Sequence, residues 1–223
     1  MDNTITKDTV FKFTMKSGLS PYGYMQWNLP SGKRPGKWMP KITGDLEACE
    51  NGYHLCHVQD LLRWRDKVLW IAEWRGDMVV ADNKIVVRQA RLLHKVETWN
   101  PRTLRLFACD CAQWALDLVG NADPRSIEAL RVARLYAEGN ATREELRESR
   151  AAAAADAAAY AAYAAYAADA AADAAAYAYA AAAAAAAAAA YAAAAAYAAY
   201  AARKRAREWQ DERLLKYLTG ELS

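Results

Sequence analysis

The chain has 223 residues and a net charge of +3, so it is long enough for one or two domains with hydrophobic cores. A nucleic-acid-binding protein is usually basic along a whole face, and a charge this small argues against that class. Four cysteines are too few for a fold built on disulfides, and the polar N-terminus has no signal-peptide core. We therefore expect a cytoplasmic protein with free thiols that acts away from membranes and nucleic acids.

The first part of the chain has the patterning of β-structure. Val10–Met15 and Lys67–Trp74 alternate apolar with polar side chains, which predicts strands with one buried face. Lys84–His94 predicts a third strand, and the dipeptide Asn51-Gly52 has the chemistry of a two-residue hairpin turn. These patterns predict a small, mostly-β domain over residues 1–100.

Helical signals begin after this region. Apolar side chains at helical spacing predict a helix over Arg102–Val119. Pro124 is typical of the first turn of a second helix, and Gly139 is typical of its C-terminal end. Thr142 and Glu145 have the spacing of a capping box, which predicts the start of a third helix.

Residues 151–202 form a nearly pure alanine–tyrosine segment. Alanine occupies 41 of its 52 positions, and the other eleven are Tyr or Asp. Alanine has the highest helix propensity, so the segment is predicted to be helical. A helical projection gives one bare alanine side, suited to close packing against another helix or a second copy, and one side bearing phenols and carboxylates. We therefore expect a homo-oligomer formed through the alanine-rich helices.

The Tyr/Asp face of this segment is the predicted docking surface for a partner. Its residues are Tyr160, Tyr163, Tyr166, Asp169, Asp173 and Tyr177. The alanine side is interrupted by Tyr179, Tyr197 and Tyr200. The predicted fold class is α+β, with a small mostly-β N-terminal domain followed by an all-α, alanine-rich helical bundle or long helical hairpin over residues 101–223. A single long helical rod is the alternative path for the segment.

Candidate chemistry is concentrated in the predicted β-domain. Cys49, His54 and Cys56 are ligand types that zinc accepts, but their spacing matches no standard zinc module, so we predict no metal. No catalytic motif is evident, and no catalytic residue or cofactor is predicted. The aromatic and basic content of residues 22–75 suits a stacking pocket for a small nucleotide, with ordinary core aromatics as the alternative. The candidate ligand-binding residues are Tyr24, Trp27, Trp38, His54, Arg63 and Trp70.

Two stretches resemble known families. LEACENGYHLC at 46–56, together with the strands on either side, resembles an uncharacterised domain of bacteriophage and prophage proteins. RLFACDCA at 105–112 and the alanine tract resemble a bacterial immunity protein family. This second resemblance implies neutralisation of a toxin by binding, although this chain has Tyr where such tracts often carry Trp and Arg.

Together these features predict a phage-encoded, non-enzymatic binding protein in the cytoplasm of an infected bacterium. Its predicted partner is a host toxin or an anti-phage defence protein. One alternative is a sponge that sequesters a nucleotide immune signal. Another is an ADP-ribosyltransferase-like enzyme, because the strand ending at Cys56, followed by a short helix and a further strand, resembles such scaffolds.

Overall fold

The computed structural model describes residues 4–64, 67–119, 124–152, 201 and 204–222. The chain divides into two compact units. The sheet unit contains Met1–Thr103 together with Gln210–Ser223, and the helical unit contains Leu104–Trp209.

The sheet unit is built on four antiparallel strands: β1 (Val10–Thr14), β2 (Tyr53–Leu55), β3 (Val68–Ala81) and β4 (Lys84–Lys95). Their order in the sheet is β1-β3-β4-β2. The three strands predicted from the sequence are confirmed as β1, β3 and β4, and β3 continues farther along the chain than predicted. A 3-10 turn, Val58–Asp60, follows β2.

The two edge strands also meet each other. Phe11 and Cys56 form an isolated antiparallel bridge, in which each backbone N–H donates to the other residue's carbonyl at 2.8 and 3.0 Å. Because β1 and β2 are at opposite ends of the strand order, this bridge brings the ends of the sheet together.

The hairpin predicted at Asn51-Gly52 is wrong. Glu47 bridges to Asn51, which places the turn at residues 48–50, and Cys49 at its centre has a positive φ of 72°. β2 pairs with β4 instead of with the preceding residues. Gly52 permits this pairing because an added Cβ would lie 2.3 Å from a side-chain carbon of Val86 on β4.

Both faces of β1 are buried. Val10 pairs with Ala72 on β3 and belongs to the main hydrophobic core, which also contains Trp27. Phe11 and Phe13 point to the opposite face and are almost fully buried as well. The apolar residues of β1 are therefore covered on both faces of the strand.

The described helical residues form four helices: α1 (Pro101–Val119), α2 (Pro124–Glu138), α3 (143–152) and α4 (204–219). Asn100 caps α1, because its side-chain oxygen accepts a 3.0 Å hydrogen bond from the Thr103 N–H. The predicted capping box of α3 is confirmed: Glu145 N–H donates to the Thr142 hydroxyl at 3.2 Å, and Thr142 N–H donates to the Glu145 carboxylate at 2.7 Å.

The predicted fold class is wrong for residues 101–223, although the chain is α+β in general. The described helices are separate elements, and they do not form a clear bundle or one long helical hairpin. Gly139 ends α2 with a positive φ of 85°, and the capping box then starts a new helix. The end of α4 belongs to the sheet unit, which removes it from an all-helical bundle.

The C-terminal part of α4 contributes to the core of the sheet unit. Leu214, Tyr217 and Leu218 are all less than 5% exposed. The Thr98 hydroxyl, just after β4, donates a 2.8 Å hydrogen bond to the Leu218 carbonyl. A segment 120 residues away in sequence therefore completes the sheet unit.

Among the described residues, no helix combines the length and the apolar character needed to span a membrane.

Candidate functional site

A cleft of about 540 Å³ lies in the sheet unit. Its walls come from β1, from the loop of residues 20–27 and from residues 49–56, with Trp64 and Lys84 at one side. The volume falls within the range of small-molecule sites, which is about 300–1,000 Å³. The residues of the Phe11–Cys56 bridge both line the cleft.

Lys12 projects from β1 into the cleft. Its ammonium donates a 3.2 Å hydrogen bond to the His54 carbonyl and lies 5.2 Å from the ring centroid of Trp27. Among the described residues, Lys12 forms no salt bridge with a carboxylate. Burial lowers the pKa of Lys12 to about 8, and the nearby Cys56 thiol opposes this shift.

A second lysine, Lys84, also lines the cleft, and polar contacts through Cys49 connect its ammonium with His54. Lys84 donates to the Cys49 sulfur at 2.9 Å, and the Cys49 N–H donates to Nε2 of His54 at 2.9 Å. The positive φ of Cys49 turns its N–H toward the imidazole. Because Nε2 accepts this hydrogen bond, the ring is neutral with its proton on Nδ1.

Aromatic rings form the rim beside Lys84. The Trp64 ring lies 4.8 Å from the Lys84 ammonium, and its Nε1–H donates a 2.8 Å hydrogen bond to the Asn83 carbonyl. Tyr22 meets Trp64 edge-on at 5.9 Å and is 73% exposed. Trp64 is therefore fixed in place, and Tyr22 offers an accessible ring face.

The protonation of His54 predicts how stability depends on pH. Burial, followed by the charges of Lys12 and Lys84, lowers the pKa of His54 from 6.5 to about 4. Between these two values the unfolded chain binds a proton that the folded chain does not, so the free energy of unfolding falls as the pH drops through this window. Because the ring is partly exposed, we expect a loss of about 1–2 kcal/mol at pH 4.5 relative to pH 7.

The measurement is urea unfolding at both pH values, for the natural chain and for His54→Gln. Other acidic groups titrate in the same range, so the difference between the two proteins isolates the contribution of His54. The variant should lose less stability on acidification. Equal losses in the two proteins would show that His54 is not held neutral by the fold.

The predicted ligand-binding residues are only partly brought together. Trp27 and His54 line the cleft. Two guanidinium groups lie near the ring of Trp38, with Arg75 at 4.2 Å and Arg91 at 4.7 Å from its centroid. Trp70 donates a 2.8 Å hydrogen bond to the Thr14 hydroxyl from a partly buried position on β3.

The other two members of the predicted set, Tyr24 and Arg63, are exposed. Neither is among the residues that line the cleft, and the same is true of Trp38 and Trp70. The sequence interpretation missed Lys12 and Lys84, because a single lysine on a strand usually indicates a solvent-facing position. The predicted docking residues Tyr160, Tyr163, Tyr166, Asp169, Asp173 and Tyr177 lie outside the described residues.

The thiols differ in their surroundings. Cys49 is exposed and Cys56 is buried, and burial raises the pKa of Cys56 to about 12, so its thiol stays protonated. Cys109 on α1 is also buried, and burial raises the pKa of its thiol. Across the described ranges, no three His, Cys, Asp or Glu side chains are grouped in a way that could hold a metal ion.

Comparison with known proteins gave one result for the second half of the chain. Residues 94–217 match the family described as Imm-5 like putative immunity protein. The chain belongs to this family. No curated protein and no solved structure matched.

The Imm-5 like segment begins at the end of β4 and includes α1, α2, α3 and most of α4. It confirms the predicted resemblance to a bacterial immunity protein family. The cleft residues lie between Phe11 and Lys84, so all of them precede the Imm-5 like segment. Membership of the family therefore assigns no role to the cleft.

Proposed function

We propose that this protein is a phage-encoded binding protein that neutralises a bacterial toxin or an anti-phage defence component in the host cytoplasm. The observation that carries the proposal is the Imm-5 like match over residues 94–217, which is more than half of the chain. A neutralising protein acts by occupying its partner, so its requirements are a preorganised docking surface and a stable scaffold.

The described part of the helical unit has the contacts of a preorganised scaffold. Trp114 of α1 stacks on Trp209 of α4 at 5.4 Å. Arg134 of α2 forms a 2.9 Å ion pair with Asp110 of α1, whose side chain is only 6% exposed. These contacts connect helices that are far apart in sequence, which supports a unit with one fixed arrangement.

The docking surface in this proposal is the Tyr/Asp face of the alanine–tyrosine segment. Tyrosine is enriched in protein interfaces because its ring buries a large area while its hydroxyl forms hydrogen bonds. The predicted alanine side would then be available for packing between copies of the chain. A measured mass in solution above 24.6 kDa would agree with that part of the proposal.

The first test is capture of the partner. The tagged full chain is expected to retain a specific protein from bacterial lysate, which mass spectrometry then identifies. The triple variant Tyr160→Ala, Tyr163→Ala, Tyr166→Ala should lose this protein, because it removes three adjacent rings of the docking face.

The matched control replaces the same number of the same residue type on the opposite side of the predicted helix. Its substitutions are Tyr179→Ala, Tyr197→Ala and Tyr200→Ala. This control should retain the partner. Loss of capture in both triple variants, or in neither, would contradict the assignment of the docking face. Failure of the natural chain to retain any toxic host protein would contradict the proposed function itself.

A further inference from the structure

We propose that the cleft of the sheet unit binds a mononucleotide, with the phosphate between Lys12 and Lys84 and the base on the Tyr22–Trp64 rim. The proposal is independent of toxin neutralisation, because every residue involved precedes the Imm-5 like segment. It also differs from the pocket predicted from sequence, since neither lysine was among the residues predicted to form that pocket.

The two ammonium groups are the first argument. Both line the cleft, and a continuous chain of contacts connects them through Cys49 and His54. Their present acceptors are weak for a cation: a thiol sulfur for Lys84 and a neutral carbonyl for Lys12. An ammonium has three donors, so each lysine can bind an anionic oxygen in addition to, or in place of, its present partner.

The charge balance of the cleft also favours an anion. Among the described residues that line it, Glu50 is the one carboxylate, and its side chain is exposed. Glu50 forms no salt bridge with either lysine in the described part of the chain. Half-buried cations without an ionic partner are costly to keep in a fold, and a bound anion offsets this cost.

The rim residues Tyr22 and Trp64 supply the contacts for the base of the ligand. Tyr22 is 73% exposed although it contacts Trp64, and Trp64 is fixed by its hydrogen bond to Asn83. An accessible ring beside a cation is the arrangement that binds a base by stacking while the phosphate is held electrostatically. A cleft of about 540 Å³ is large enough for a ligand of this class.

The test is calorimetric titration of the full chain with adenosine 5′-monophosphate, adenosine and inorganic phosphate. We expect saturable binding of the nucleotide and at least ~10-fold weaker binding of each fragment, because each fragment lacks one half of the contacts. Lys84→Ala should weaken nucleotide binding by about 10-fold or more through loss of one charged hydrogen bond. Glu50→Gln should strengthen binding, because it removes the carboxylate from the cleft.

The matched control is Lys33→Ala, which removes an exposed lysine outside the cleft and should leave affinity unchanged. Lys12→Met is a second cleft variant, and its thermal unfolding is measured alongside, because Lys12 is half-buried. Absence of saturable nucleotide binding by the natural chain would overturn the proposal. Equal affinity for inorganic phosphate and the nucleotide would overturn it too, as would equal binding by Lys84→Ala and Lys33→Ala.

Discussion

Replacement of Leu214 by alanine is expected to lower the free energy of unfolding of the sheet unit by about 2–5 kcal/mol. Leu214 is 1% exposed, and it lies in the part of α4 that belongs to the sheet unit. Truncation of a leucine side chain at such a position removes buried methyl groups and leaves a cavity that the neighbouring side chains fill only partly. The loss is therefore expected in the β-strands, although Leu214 follows them by more than 100 residues.

Urea unfolding measures the total change, and amide hydrogen exchange at Val86 and Val87 of β4 shows where it occurs. Protection at these two fully buried strand residues should fall in step with global stability. The control is Ile127→Ala on α2, because Ile127 is 52% exposed and should cost no more than about 0.5 kcal/mol. A Leu214→Ala variant that leaves strand protection unchanged would show that α4 does not stabilise the sheet unit.

Arg134→Met is expected to destabilise the helical unit by about 2–4 kcal/mol. The substitution keeps the apolar stem of the side chain and removes the guanidinium that pairs with Asp110 at 2.9 Å. The Asp110 carboxylate is 6% exposed and would lose this cation. Arg134 is itself 36% exposed, which places the expected cost below that of a fully buried pair.

The same substitution at Arg131 is the matched control on α2. Arg131 pairs with Glu128 at 2.6 Å, but both side chains are more than half exposed, so Arg131→Met should leave the free energy of unfolding nearly unchanged. Chemical unfolding followed by circular dichroism measures both variants. Equal effects at the two positions would show that burial of Asp110 does not determine the strength of its ion pair.

Local signals in the sequence predicted most of the secondary structure of the described residues. Apolar alternation located β1 and β3, and the chemistry of Pro124, Gly139 and Thr142 located helix ends. These predictions succeed because strand alternation and helix capping depend on residues only a few positions apart. The Asn51-Gly52 hairpin failed because a long-range pairing of β2 with β4 outweighed the local turn preference.

These local signals do not predict contacts between residues that are far apart in the chain. Nothing near Leu214 indicates that it is buried in a sheet unit formed mainly by the first hundred residues. The cleft likewise combines β1, the turn at Cys49, Trp64 and the start of β4, which only the fold brings together. Lys12 and Lys84 are ordinary strand lysines in the sequence, and their importance depends on burial and on the absence of a carboxylate partner among the described residues.

The burial of Asp110 in α1 is another feature that local sequence patterns do not predict. Phe107 is one of the apolar residues whose helical spacing predicts α1, and it is buried. Asp110 lies one turn farther along the same face and is buried as well, because Arg134 of α2 neutralises its charge. A periodicity based on hydrophobic residues omits such a position, since the partner that permits its burial is on another helix.

The central claim is that the protein neutralises its partner by binding it. The most direct measurement is the growth of bacteria that express the captured partner, alone and together with this protein. We predict that the partner alone arrests growth, that the full chain restores it, and that the triple variant at Tyr160, Tyr163 and Tyr166 does not. Continued growth arrest despite formation of the complex would show that binding does not neutralise the partner.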